Sequence, residues 1–296
     1  MTRLRADGLL LLTAMIWGMA FIAQKTGNET MPPIAFVAMR FLLSAVVLAP
    51  FAFLESKRAP TPLNRGQLLL ALAVGLCLFV GGTLQQVAMV TASATHGGFL
   101  TSLYVVLVPF STWILTRERI RPIVLIACVL SITGAYLLTS GGLHGGWSMG
   151  DTLLVVSDFA WAFWISLIAI FQRHVQRPHF LAFSQFVITA AVAIPLSLIF
   201  ESTSWEGLQA ALPELLFTSI ISGGLAFTIQ IMAQSHTPPA EAALIMSLES
   251  VFAAIAGALI FGERLTPIAL TGCALILAGV MAAEVIPALR KRASPS

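Results

Sequence analysis

Charge is scarce in this chain. Only 10% of its 296 residues are Asp, Glu, Lys or Arg, against about 25% in an ordinary soluble domain, too few to cover a water-facing surface. Cysteine is also rare. Cys77, Cys128 and Cys273 lie inside hydrophobic runs without short pairing, so they read as small buried hydrophobes and exclude a disulfide framework. No Gly-x-x-x-x-Gly-Lys-Ser/Thr occurs, which rules out ATP hydrolysis through a P-loop. The five histidines, at 96, 144, 174, 179 and 236, fall near segment ends or in loops without metal-ligand spacing. No metal, cofactor or nucleic acid is expected.

What is present is apolar: 58% of residues are hydrophobic and the mean hydropathy is +0.92. These residues fall in long runs that would form helices apolar on every face, and such helices need lipid around them. Arg3 and Arg5 precede an apolar stretch as in a secretory signal. That reading fails, because 9–23 lacks a small-residue cleavage site and is followed at once by Gln24, Lys25 and another span.

A bilayer core of about 30 Å asks for about 20 apolar residues per helix. Ten segments qualify, near 8–23, 33–54, 66–90, 94–115 and 122–139, then 150–172, 180–200, 213–235, 239–261 and 267–286. Prolines 33, 122, 178, 213, 239 and 267 sit at or near their starts, where a missing N–H costs little. With this threading, 13 of the 16 basic residues lie on the side of the N-terminus, and only Lys25 and Arg264 lie opposite. Both termini are therefore expected in the cytoplasm.

Laid on itself at an offset of 145 residues, the chain repeats. Pro33 falls on Pro178, Phe41 on Phe186, Pro50 on Pro195, Gln85 on Gln230, Ser102 on Ser247 and Gly134 on Gly279. Glu118-Arg119-x-x-Pro122 falls on Glu263-Arg264-x-x-Pro267, and at an offset of 144 Trp17 falls on Trp161. Five spans is an odd number, so the second copy must run upside down. The predicted fold class is an all-α integral membrane protein of ten transmembrane helices, in two inverted five-helix repeats over 1–143 and 144–296. Inverted repeats of this kind enclose a solute site near the midplane in many secondary transporters.

The sequence resembles the ten-span EamA-type branch of the drug/metabolite transporter superfamily along nearly its whole length. The residues that carry the likeness are Ile16-Trp17-Gly18-Met19-Ala20-Phe21 with Lys25, and Pro33-x-x-Phe36-x-x-x-Arg40-Phe41. In the second half they are Leu248-Glu249-x-x-Phe252-Ala253-Ala254, Gly262 to Pro267, and Gly272 to Gly279. One departure is visible: members of the family often have proline after the ninth-span glutamate, where this chain has Ser250, while Pro109 lies in the fourth span. The resemblance implies an exporter of small organic metabolites, with amino acids, aromatic ones included, as the nearest solute class, and the short loops without targeting extensions point to a bacterial inner membrane. Multidrug or nucleoside export by the same fold is the alternative.

Candidate site residues follow from the cost of burying charge, about 2.5–3.5 kcal/mol at a span centre. Arg40, Asp158, Glu241 and Glu249 lie inside predicted spans. Arg40 is expected to neutralise a carboxylate, that of Glu249 or that of a solute, and Glu249 to bind a coupling proton or cation; a fixed ion pair that orders the helices is the competing reading. Gln85, Gln230, Gln234, Ser102 and Ser247 are placed to hydrogen-bond a solute or to join helices, and Phe79, Thr83 and Gln86 offer another face of the third span. Trp17, Trp161, Trp164 and Tyr104 lie away from the interfaces where such rings collect, and their faces suit an apolar or aromatic solute. Gly141 to Gly146 reads as a connector, and Asn28-Glu29-Thr30 fits a glycosylation acceptor. The expected partners are a small solute and the lipid bilayer, with the protein acting as a monomer. A membrane enzyme acting on lipids would need acidic, His or Ser groups clustered near one interface, and none is seen.

Overall fold

The computed structural model describes residues 1–140, 148–262 and 266–293. The expected connector at 141–146 and the residues Glu263 and Arg264 lie outside them. The described residues are helical with no strand. The helices are α1 (Arg3–Thr30), α2 (Pro33–Arg58), α3 (Arg65–Ala88), α4 (Ala94–Thr101), α5 (Tyr104–Thr116), α6 (Pro122–Ser140), α7 (Met149–His174) and α8 (Pro178–Phe200). They continue with α9 (Trp205–Ala210), α10 (Leu212–Leu216), a π-helical stretch Phe217–Phe227, α11 (Thr228–Gln234), α12 (Pro239–Met246), α13 (Glu249–Phe261) and α14 (Pro267–Ala293).

Among the described residues, eight helical segments are long and apolar enough to cross a membrane, taking α4 with α5, α10 to α11, and α12 with α13 as single runs. The helices α6 and α14 carry shorter apolar stretches over Pro122–Gly134 and Leu270–Gly279. Apolar side chains such as Leu198, Ile199, Phe200 and Leu259 stand exposed around the outside, as a lipid-facing surface requires. This is an integral membrane protein. Pro50 and Pro195 lie inside α2 and α8 without breaking either helix.

Packing is pairwise. The helix α2 lies along α8, α3 along α7 and α6 along α14, while α1 runs between the π stretch, α11 and α13. Small residues set the closest crossings. A Cβ added at Gly18 would meet the Glu249 carbonyl oxygen at 2.7 Å and Phe252 Cβ at 2.6 Å, so only glycine lets α1 approach α13 this closely. Gly134 and Gly279 serve α6 and α14 likewise, one facing the Gly272 carbonyl and the other the Ala127 carbonyl.

Two features were not foreseen as backbone events. The expected fourth and ninth spans are each broken, at Ser102-Leu103 and at Ser247-Leu248. At both breaks i to i−3 bonds replace the α-helical ladder, as Leu103 N to Leu100 O and Leu248 N to Ile245 O, and each serine hydroxyl donates to the carbonyl three residues back at 2.7 Å. Both broken helices also end alike, in a left-handed residue, Arg117 (φ 59°) and Gly262 (φ 69°). The second feature is the π stretch, whose widened ladder leaves carbonyls able to accept side-chain bonds from neighbours.

The two ends of the bundle are tied differently. At one end Glu241, 3% exposed, accepts from both Arg3 and Arg121 (2.8 Å to Arg121), and Thr237 donates to Asp7. Nearby, Arg173 binds Glu118 at 2.5 Å and holds its carboxyl below the usual range. At the other end Lys25 Nζ donates to the Met89 and Val90 carbonyls, a cation on a helix C-terminus. The pair α2 and α8 is capped reciprocally: Glu201 accepts from the Ile34 and Ala35 N–H groups, and Glu55 from those of His179 and Phe180.

Candidate functional site

A cavity lies among α1, α2, α3, the α4–α5 break, α7, the π stretch and the first turn of α13. It brings together seven of the residues singled out from sequence: Trp17, Arg40, Gln85, Tyr104, Trp161, Trp164 and Glu249. Gln24, Phe41, Thr101, Ser222 and Phe227 join them.

One wall is built on the π stretch. Its Thr218 carbonyl accepts from Arg40 Nε at 3.3 Å, its Ser222 hydroxyl accepts from Arg40 Nη2 at 3.1 Å, and its Ser222 carbonyl accepts from Trp17 Nε1 at 3.3 Å. Arg40 is 6% exposed, and no carboxylate among the described residues pairs with it. The fixed Arg40–Glu249 pair offered as one sequence reading is therefore not formed: both groups line the cavity and remain unpaired.

The opposite wall is acidic. Glu249 is the first residue of α13, immediately after the Ser247-Leu248 break, and Tyr104 is the first residue of α5, immediately after the Ser102-Leu103 break. Asp158 of α7 is buried as well, outside the cavity lining and within electrostatic range of both. All three are buried, and Glu249 Oε1, both Asp158 carboxylate oxygens and the Tyr104 hydroxyl lack a hydrogen-bond partner. Buried polar atoms are normally satisfied; of these groups Glu249 and Tyr104 line the cavity, so the free Glu249 oxygen is the acceptor this wall offers to a solute.

The rest of the lining is aromatic. Trp17, Trp164 and Phe227 meet at centroid distances of 4.8–6.2 Å, Trp161 sits edge-on to Trp164 at 5.4 Å, and Phe41, Phe186 and Phe227 extend the cluster. Trp164 is locked by its Nε1–H donating to Gln185 Oε1 at 2.7 Å. Gln85 donates to Gln24 Oε1 at 3.0 Å, joining α3 to α1 at the cavity edge.

The remaining sequence candidates lie elsewhere. Gln86 donates to the Gln24 carbonyl and to Asn28, whose amide returns a bond to the Gln86 carbonyl, so it joins helices and leaves Asn28 held against α3. Gln230 donates to Gln234, which donates to the Ile165 carbonyl at 3.3 Å, a tie between α11 and α7. Ser102 and Ser247 bond within their own helices at the breaks. Thr83 is unpartnered outside the lining, and Phe79 packs on the core. Glu241 is consumed by Arg3 and Arg121. Among the residues missed, Phe41 had a signal, since it is one of the repeat-matched positions. Ser222 and the Thr218 carbonyl had none, because their exposure to Arg40 depends on the π geometry.

The model of the EamA-like transporter family matches this sequence twice, over residues 4–140 and 148–283. The chain belongs to that family. A transporter of Archaeoglobus fulgidus, itself uncharacterized, is 30% identical over 94% of this chain and 85% of its own length. A probable amino-acid metabolite efflux pump of Salmonella typhimurium is 26% identical over 93% of this chain and 94% of its own. The inner membrane transporter YedA of Escherichia coli is 29% identical over 53% of this chain and 50% of its length. A solved crystal structure shares the fold with a TM-score of 0.74 at 17% identity, covering 95% of this chain and 97% of that one. This EamA-family protein is thus a multi-pass membrane transporter.

Proposed function

We propose that this transporter exports small zwitterionic metabolites, amino acids with an aromatic or apolar side chain first among them, across the inner membrane. The observation that carries the reading is the polarity of the cavity. A buried guanidinium without an acid, Arg40, shares the cavity with a buried carboxyl without a base, Glu249, and with indole and phenyl rings. An α-carboxylate on Arg40 and an α-ammonium at Glu249 satisfy both walls, and an aromatic side chain fills the ring-lined space. The efflux pump named among the relatives supports the same solute class.

For the carrier cycle we take α1 to α6 and α7 to α14 as two inverted five-helix halves, 1–143 and 144–296, giving ten spans with both termini cytoplasmic. Several pairings support this. The double family match divides near that boundary. The breaks at Ser102 and Ser247, the left-handed ends at Arg117 and Gly262, and the close contacts at Gly134 and Gly279 all recur at the offset of 145. The reciprocal caps by Glu55 and Glu201 add a two-fold relation between α2 and α8. A cavity at such an interface reaches each membrane face in turn when the halves rock.

The test is counterflow of labelled phenylalanine in proteoliposomes, with nucleosides and a cationic dye as competing solutes. Accumulation that only zwitterions inhibit is the expected result; inhibition by nucleosides or dyes alone overturns the assignment.

A further inference from the structure

We propose that the groove between the C-terminal end of α2 and the turn joining α7 to α8 holds the phosphate of one anionic phospholipid, whose acyl chains lie along the exposed apolar face of α2. This groove shares no residue with the central cavity.

Glu55, Arg58, Arg177 and His179 line it, with Phe51 and Leu54 on its apolar side. Glu55 is already spent. One of its oxygens accepts from the His179 N–H at 3.3 Å and lies 2.9 Å from His179 Nδ1, and the other accepts from the Phe180 N–H at 2.7 Å. Arg177 donates from Nη2 to the Thr61 carbonyl, which ties the α7–α8 turn to the segment after α2 and leaves four of its five N–H donors. The Arg58 side chain, in the last turn of α2, has no ion pair or hydrogen bond among the described residues. Two guanidiniums therefore line a groove whose carboxylate is taken.

The same helix pair supplies a control. At its other end Glu201 caps α2 as Glu55 caps α8, yet the chain there, residues 26–39 and 196–216, holds no Lys or Arg. The cap thus stands without arginines, and Arg58 and Arg177 are not needed to support it. Arginines at a membrane face are often merely hydrated. What distinguishes these two is the apolar surface beside them. Phe51, Leu54 and Arg58 fall at i, i+3 and i+7 on one face of α2, and Phe51 and Leu54 are exposed. At 1.5 Å per residue Phe51 lies about 10 Å further along the helix than Arg58, which reaches from headgroup level into the acyl region. Its ring is stacked on that of His179 at 6.1 Å.

A phosphodiester carries one negative charge and two free oxygens, which two guanidinium forks can share. Basic pockets between membrane helices take anionic headgroups in this way. A zwitterionic headgroup adds an ammonium that the arginines repel. Free phosphate meets the same donors, but only a lipid also covers Phe51 and Leu54. Once bound, the headgroup bridges the end of α2 to the turn before α8.

The test is native mass spectrometry and thermal denaturation of delipidated full-length protein, titrated with phosphatidylglycerol or with phosphatidylcholine of the same acyl chains. The wild type is expected to bind one phosphatidylglycerol on the order of 10- to 30-fold more tightly than phosphatidylcholine, and to melt higher with it. R58Q/R177Q should bind the two lipids alike. K57Q/R65Q, which removes as much charge from exposed positions outside the groove, should keep the preference. Equal affinity of the wild type for both lipids overturns the proposal whether or not the variants fold. So does a preference kept in R58Q/R177Q, or one lost equally in both double variants, the mark of diffuse surface charge. Displacement of phosphatidylglycerol by an equimolar amount of inorganic phosphate overturns the lipid assignment in favour of a free anion.

Discussion

Replacing Arg40 with glutamine separates a solute-binding arginine from a structural one. A guanidinium has five N–H donors, and Arg40 spends two on Thr218 and Ser222. The remainder are available to a carboxylate in the cavity. A charge-assisted bond of this kind contributes about 1.5–3 kcal/mol, so R40Q should weaken phenylalanine binding on the order of 10- to 100-fold. Stability should respond differently. Arg40 has no acid partner to orphan, so the substitution removes two hydrogen bonds of about 1 kcal/mol each and relieves a membrane insertion cost of about 2.5–3.5 kcal/mol. The melting temperature should hold or rise slightly. Tryptophan fluorescence titration with phenylalanine and with its decarboxylated amine supplies the control: the wild type should prefer the amino acid, and R40Q should bind the two alike. Unchanged phenylalanine affinity, or a lower melting temperature with both ligands weakened equally, would refute the reasoning.

Further outcomes follow from the packing. G18V places a Cβ against the Glu249 carbonyl, an overpacking of about 1–3 kcal/mol; thermal denaturation should report the loss, and transport should fall with it. E241Q removes the carboxylate that binds Arg3 and Arg121, and the melting temperature should drop while phenylalanine binding at the distant cavity is kept. E55A and E201A each strip a helix N-terminus of its acceptor at about 0.5–2 kcal/mol, and because they lie at opposite ends of the bundle the double variant should show the sum of the single losses. Cysteines introduced as R117C and E206C, both at exposed positions, should react with an impermeant maleimide from opposite faces of the membrane; labelling from one face would exclude the inverted arrangement.

The site was legible in sequence as far as chemistry outweighs context. Of the residues that line the cavity, Arg40 and Glu249 declared themselves because charge in the middle of apolar runs is expensive, and Trp17, Trp161, Trp164 and Tyr104 because they lie away from the interfaces where such rings gather. Gln86, Gln230 and Gln234 had the same credentials on paper. The structure places them in ties between helices, since an amide serves a solute or a neighbour equally well until the rotation of its helix is known. Asp158 had the credentials too, yet it does not line the cavity, whereas Arg40 and Glu249 meet there from positions 209 residues apart, which no local pattern encodes.

The amino-acid order alone determined the membrane class, the placement of most helices and the doubled pattern, because hydropathy over about 20 residues, prolines at helix starts and matched rare residues are local quantities. The tertiary structure decided the rest: which faces of the helices meet, where the helix runs break at Ser102-Leu103 and Ser247-Leu248, and how the π stretch turns the Thr218 and Ser222 carbonyls toward Arg40 and Trp17. These depend on packing between segments far apart in the chain, where a single glycine or a freed carbonyl acquires meaning only from what lies opposite.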